Sequence, residues 1–184
     1  MRIALRVLVC FITTLLLCSY FIMWPKADLK PFGRPKHFSK LPTTLEPTFF
    51  DYKQALKVAK ANNRMLFVNF TGHGCVGDTR QLFWPSEYFI PKTFIENKLV
   101  YCALYVDDKT VLADSSDWFI SKSGKIQKSI GALNGRIQER TYDSNAQPLY
   151  ALIDPHTDST LCTFYYSSPT GKTLNLIKGY YGIK

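Results

Sequence analysis

No two of the five cysteines in this 184-residue chain, Cys10, Cys18, Cys75, Cys102 and Cys162, are separated by two residues. That absence excludes a dithiol centre closed within one Cys-x-x-Cys motif, and no zinc-binding spacing takes its place. Helix-turn-helix, zinc-finger and base-stacking signatures are missing as well, so the net charge of +9 points to no nucleic-acid partner. Once Arg2 and Arg6 are set aside, 21 basic residues face 14 acidic ones. Beyond a cluster after residue 24 the basic residues are interleaved with acids and apolars, as on a solvated surface. There is no internal repeat and no low-complexity tract, which removes solenoids and compositionally biased chains. Neither a metal nor a cofactor is expected.

What the chain has is enough apolar material for a packed core, with 46% hydrophobic and 15% aromatic residues. Residues 7–24 form an uncharged run that includes Ile12, Leu15, Leu16, Leu17, Phe21 and Ile22. A helix of that length just crosses a bilayer core, which takes about 20 residues with some tolerance. Its exit, Phe21-Ile-Met-Trp-Pro25, lacks the small residues of a signal-peptidase site, so residues 1–24 are expected to be an uncleaved signal anchor. Residues 25–48 carry Pro25, Pro31, Pro35, Pro42 and Pro47 among Lys26, Lys30, Arg34, Lys36 and Lys40. This composition predicts an extended linker whose charge suits an anionic headgroup surface. Residues 49–184 remain for a globular domain.

Within that domain, Tyr52, Ala55, Leu56, Val58 and Ala59 recur at helical spacing, with Asp51 as N-cap and Asn62-Asn63 as the stop. Residues 65–70 suit a buried strand. Helix is expected over 76–83, until Trp84-Pro85 interrupts it, and again over 86–97 with a break at Pro91. A strand follows over 99–106, then a polar stretch over 107–145 with a helix at 126–138. Strands over 148–153 and 160–166 flank the turn at 154–159. Helix, strand, helix, strand and hairpin predict an α/β domain in which a parallel βαβ unit is joined to a β-hairpin.

The chemistry concentrates in Phe67-Val-Asn-Phe-Thr-Gly-His-Gly-Cys75-Val-Gly-Asp78, where an apolar strand passes through a glycine-rich turn into a cysteine at an expected helix start. Such a position favours a thiolate, which makes Cys75 the candidate nucleophile. His73 adds positive charge when protonated, whereas the carboxylate of Asp78 opposes a second negative charge. Both also have bland readings, His73 as a turn residue and Asp78 as a first-turn acid that complements the helix dipole. Cys102 and Cys162 sit in strand-like surroundings and read as buried, inert thiols. Asp154, His156 and Asp158 read as a solvated turn, and Asp107-Asp108 as a cap on the turn after its strand.

These residues resemble the soluble thioredoxin-like domain at the C-terminus of bacterial thiol:disulfide interchange proteins of the DsbD type. The similarity runs from about Phe49 to Asp154. It includes Tyr52-Lys-Gln-Ala-Leu-Lys-Val-Ala-Lys60, the Cys75 turn, Ala103-Leu-Tyr-Val-Asp-Asp-Lys-Thr110, Gly124-Lys-Ile-Gln-Lys-Ser-Ile-Gly131 and Asn145-Ala-Gln-Pro-Leu-Tyr-Ala-Leu-Ile-Asp154. It implies a thioredoxin-like fold and a cis bond before Pro148. It also implies a substrate groove formed by Gly74, Val76, Gln147 and Pro148. In localisation it implies a single-pass protein of the bacterial inner membrane whose domain faces the periplasm, against a strict positive-inside count. The implied partners are exported protein thiols or a membrane redox partner.

The chain departs from that family in three places. Asp78 stands at the resolving-cysteine position, one apolar run replaces a many-helix membrane module, and little sequence follows Tyr166 for the helix that covers one sheet face. A missing cover would leave apolar surface to be shielded by the linker, a partner or the membrane. Two function classes follow. One is a membrane-tethered protein that has lost dithiol activity and exchanges disulfides at most through Cys75, with an incomplete oxidoreductase motif. The other is a non-catalytic thioredoxin-fold binding or accessory subunit.

Overall fold

The computed structural model describes residues 33, 47–75, 98–165, 175 and 179–182. The expected membrane helix, nearly all of the linker and the helices expected over 76–83 and 86–97 lie outside these residues. No helix among the described residues is long and apolar enough to cross a membrane.

Helix α1 (Tyr52–Ala61) begins where the Asp51 carboxylate accepts the Gln54 N–H at 2.7 Å, satisfying a donor that has no partner inside the helix. It ends where both the main chain and the side-chain amide of Asn62 return to the Val58 carbonyl, and Asn63 turns the chain at φ 49°. Strand β1 (Met65–Thr71) follows, with all seven residues buried. It pairs in parallel with β2 (Leu99–Tyr105), from Met65 opposite Leu99 to Thr71 opposite Tyr105. A parallel pair needs a crossover of a dozen or more residues, which 72–98 supplies.

Strands β3 (Phe119–Ile120) and β4 (Ile126–Gln127) form a small separate hairpin, and helix α2 spans Ile130–Tyr142. The sequence reading placed a helix at 126–138, so its first turn is corrected to a strand. Gly124, at φ 78°, closes the hairpin, and the Ser129 hydroxyl accepts the Ala132 N–H, which fixes the helix start after the strand.

Strand β5 (Leu149–Ile153) lies antiparallel along the other edge of β1, and β6 (Thr160–Tyr165) lies antiparallel to β5. The sheet order is β2-β1-β5-β6. A parallel pair extended by an antiparallel hairpin in this order is a thioredoxin-like α/β fold with a mixed four-stranded sheet.

The sheet is buried on both faces. Leu66, Val68, Phe70, Val100, Cys102 and Leu104 pack with Ala55, Val58 and Ala59 of α1 on one side. On the other, Phe67, Tyr101, Tyr150 and Phe164 form an aromatic layer with Met65, Leu99 and Leu152. The Phe67 and Tyr150 rings stack at 5.9 Å with 7° between planes, and Tyr150 stacks on Phe164 at 5.0 Å. This face is shielded within the chain, Phe67 being 0% and Tyr150 1% exposed. Tyr181 helps close this side, its hydroxyl donating to the Lys98 carbonyl and accepting the Met65 N–H.

Candidate functional site

The Cys75 turn leaves the C-terminal end of β1, and the Gln147–Pro148 peptide enters the N-terminal end of β5. Because Phe70 lies opposite Leu149 in the antiparallel ladder, both segments emerge at the same end of the sheet. The Gln147–Pro148 bond is cis, the isomer that the family resemblance implies.

The turn is tied down from β2. Its next residue, Val106, donates its N–H to the Thr71 carbonyl at 2.8 Å, which brings Asp107 alongside the turn. Both carboxylate oxygens of Asp107 accept the His73 N–H, at 2.8 and 2.9 Å. A charged acceptor on a main-chain donor is among the stronger hydrogen bonds available to a turn. Gly72 makes room for it, since a Cβ there would stand 3.0 Å from one Asp107 oxygen. Cys75 completes the turn by donating its N–H to the Gly72 carbonyl at 3.0 Å, leaving Cys75 half-buried and Gly74 exposed.

The His73 ring lies stacked on Tyr105, 4.4 Å between centroids and 28° between planes. The imidazole is thus packed against the end of β2. Asp107 departs from the sequence reading, in which it capped the turn after its own strand. Asp108 does that work, accepting the Thr110 N–H at 2.8 Å. Asp107 instead reaches back across the parallel pair.

On the β5 side, Gln147 is half-buried and donates its side-chain amide to Gln138 Oε1 at 2.9 Å and to the Asn145 carbonyl at 2.7 Å. Gln138, fully buried on α2, donates in turn to the Ala146 carbonyl at 2.7 Å. The segment before Pro148 is therefore laced to α2 by amide groups on both sides. Buried amides satisfied in this way hold a single arrangement, because breaking one leaves a desolvated polar group. Val76 and Asp78, the other residues singled out around the turn, lie outside the described residues.

The three cysteines of the domain are all thiols. Cys102 faces Val68 in the β1–β2 ladder, about 10 Å down the strand from Thr71. Burial pushes its thiol well above the ordinary range, and the negative charge of Asp51 adds to the effect. Cys162 lies opposite Leu152 on β6 and is half-buried rather than buried. Of these thiols, Cys75 is the one that follows β1 out of the sheet at the end where Pro148 enters β5.

The acidic turn before β6 is engaged elsewhere. Asp154 accepts the His156 N–H at 2.8 Å, the His156 ring bonds Asn63 at 2.7 Å, and Asp158 pairs with Lys60 at 2.9 Å. These contacts fasten the β5–β6 turn to the end of α1.

Tyr105 and Gln138 are the site residues that sequence reasoning did not single out, and Asp107 was assigned to its own turn rather than to the Cys75 loop. The one available signal was Gly72 itself, a glycine at a strand end where a neighbouring group must approach closely.

No protein-family model matches the chain, and no curated protein matches it. Among solved structures it is similar to a thioredoxin from Thermus thermophilus, at 16% identity over 72% of this chain and 85% of that one, with a TM-score of 0.44. It is also similar to a structure described as DsbH oxidoreductase, at 15% identity over 83% of this chain and 96% of that one, with a TM-score of 0.46. Likeness at this level carries no argument, and the thioredoxin-like assignment rests on the strand order and register of the sheet.

Proposed function

We propose that this chain is a membrane-tethered, periplasmic thioredoxin-fold protein related to the DsbD-type thiol:disulfide interchange proteins, acting through one thiol, Cys75. The observation that carries the reading is that the Cys75 turn leaves β1 at the same end of the sheet at which Gln147–Pro148 enters β5, while Cys102 is sealed inside the sheet. The groove residues Gly74, Gln147 and Pro148 border that end, and Val76 and Asp78 belong to the same proposed site by sequence position.

A single thiol exchanges without resolving. The Cys75 thiolate attacks one sulfur of a substrate disulfide, forming a mixed disulfide and releasing the other sulfur as a thiolate. A thiolate from a second molecule then attacks the substrate sulfur of that bond, and Cys75 leaves as thiolate. One disulfide is consumed and one is formed, so no electrons are gained or lost. The implied partners are exported protein thiols, or a membrane redox protein reached through the tether at residues 7–24.

The test is acid-quenched thiol trapping in cells, followed by identification of the proteins disulfide-linked to the chain. Adducts should form with the native chain and vanish in Cys75→Ser, while Cys102 in the folded protein resists alkylation. Adducts that persist in Cys75→Ser overturn the proposal. Partner binding that is unchanged by this substitution, with no adduct in either protein, identifies a non-catalytic binding subunit instead.

A further inference from the structure

The β3–β4 hairpin presents a surface that the Cys75 chemistry does not use. Phe119 lies opposite Gln127 and Ile120 opposite Ile126. Phe119 turns toward α2, where the Arg136 guanidinium sits 4.2 Å from its ring centroid. Strand alternation then sends Ile120 and Ile126 to the opposite face, where they are 71% and 62% exposed. Continuing the register by one pair sets Trp118 beside Lys128, whose ammonium lies 4.3 Å from the indole centroid. Trp118 is 37% exposed.

A single exposed isoleucine is ordinary, but two paired across a hairpin beside a tryptophan form a continuous apolar patch. Along the hairpin itself the charge has one sign, and the adjoining Asp117 is paired with Lys53. Residues 118–129 contain Lys122, Lys125 and Lys128 and no acid. Lys122 is drawn to Glu139 of α2, and the other cations of the hairpin are Lys125, next to Ile126 in sequence, and Lys128, over the Trp118 ring. The complementary surface is apolar at its centre and negatively charged at its rim. An indole with an ammonium over its ring is suited to the boundary between acyl chains and headgroups, where aromatic rings concentrate.

We propose that this hairpin docks on an anionic phospholipid bilayer, with Trp118, Ile120 and Ile126 entering the headgroup boundary and Lys125 and Lys128 meeting lipid phosphates. The inference is independent of whether Cys75 reacts. A bilayer is favoured over a free anion because the lysines flank an apolar pair that a soluble anion would leave in water.

Hydrogen exchange read by mass spectrometry on the full chain separates the hairpin from the linker lysines, which also attract anionic lipid. With vesicles containing roughly a third phosphatidylglycerol, exchange over 118–128 should slow several-fold relative to pure phosphatidylcholine, and about 0.5 M salt should largely reverse this. In Lys125→Gln/Lys128→Gln the hairpin's partitioning should fall about 25-fold, at about 5-fold per lysine. Ile120→Ser/Ile126→Ser should abolish the protection while exchange in β1 and β5 stays unchanged, which shows that the fold is intact. Equal protection in the two vesicle types overturns the proposal. Protection that grows with protein concentration in the absence of vesicles assigns the face to a second copy, and protection by inorganic phosphate alone assigns it to simple anion binding. Either outcome overturns bilayer docking.

Discussion

Alanine at Gly131 should destabilise the protein, even though Gly131 is the second residue of α2 and alanine is the better helix former by about 1 kcal/mol. A Cβ at this position would stand 2.5 Å from the Asp108 nitrogen and 2.7 Å from the carbonyl oxygens of Asp108 and Val106. All three are main-chain atoms that no side-chain rotation can move, whereas ordinary van der Waals contact begins at 3.4 Å. Overpacking of this kind costs about 1–3 kcal/mol, and the Gly131 N–H bond to the Asp108 carbonyl, worth about 1 kcal/mol more, is strained with it. Against the propensity gain, the net loss should be about 2 kcal/mol.

Gly135, four residues along the same helix, supplies the control, since a Cβ there meets nothing within 4 Å. Gly135→Ala should therefore stabilise by about 0.5–1 kcal/mol. In urea denaturation of the full chain the two variants should shift the midpoint in opposite directions with an unchanged slope, Gly131→Ala by about 1 M downward. A Gly131→Ala midpoint at or above that of the native chain refutes the reasoning. Because residues 106–108 would have to retreat, the same variant should also draw Asp107 away from the His73 N–H and speed exchange of that amide.

Asp51→Ala should cost about 1 kcal/mol through loss of the α1 cap, while Asp51→Asn, which keeps an acceptor, should stay within a few tenths; equal losses in a denaturant titration would refute the capping role. Alkaline stability has a definite sign at Tyr52, whose hydroxyl is pushed up to about 12 by burial and then by Tyr142, Asp158 and Cys102. The native state holds that proton longer than the unfolded chain does, so stability should be level below pH 10 and fall as pH rises toward about 12. Tyrosinate absorbance followed beside the unfolding midpoint checks this, and Tyr52→Phe should flatten the fall. Stability that rises across that window would contradict the burial of Tyr52.

The elements legible in the sequence are those whose signals are local. Asp51 and Asn62 bracket α1 with side chains that bond within their own turn. Residues 65–70 read as a buried strand because they carry apolar side chains on both faces, and the strand runs one residue further, to Thr71. Strand β4 reads as the first turn of a helix because Ile126, Ile130, Leu133 and Ile137 keep helical spacing straight through it. Ser129 was the corrective signal, an N-cap that starts the helix only after Lys128. Asp107 failed for a different reason. Both readings make it an acceptor, but its donor lies 34 residues away and is chosen by the register of β1 and β2, which no local pattern encodes. The same holds for Gln138, a polar residue whose burial depends on where α2 meets the Pro148 segment. On the second sheet face no local pattern marks Tyr181, whose hydroxyl engages both Met65 and Lys98 from far along the chain.

The aromatic layer on that second face gives the molecule an optical asymmetry. Phe67, Tyr150 and Phe164 are stacked on one another and held without solvent, whereas the opposite face is built mainly of aliphatic side chains around α1. Fixed, coupled rings are what generate a near-ultraviolet dichroism signal, which vanishes when side chains lose their packing. In the tyrosine bands of the near-ultraviolet spectrum Tyr150 should thus report on the side of the sheet that Tyr181 closes, and the far-ultraviolet spectrum should follow α1 and α2 on the other. A perturbation that separates the two signals would show which side of the sheet yields first.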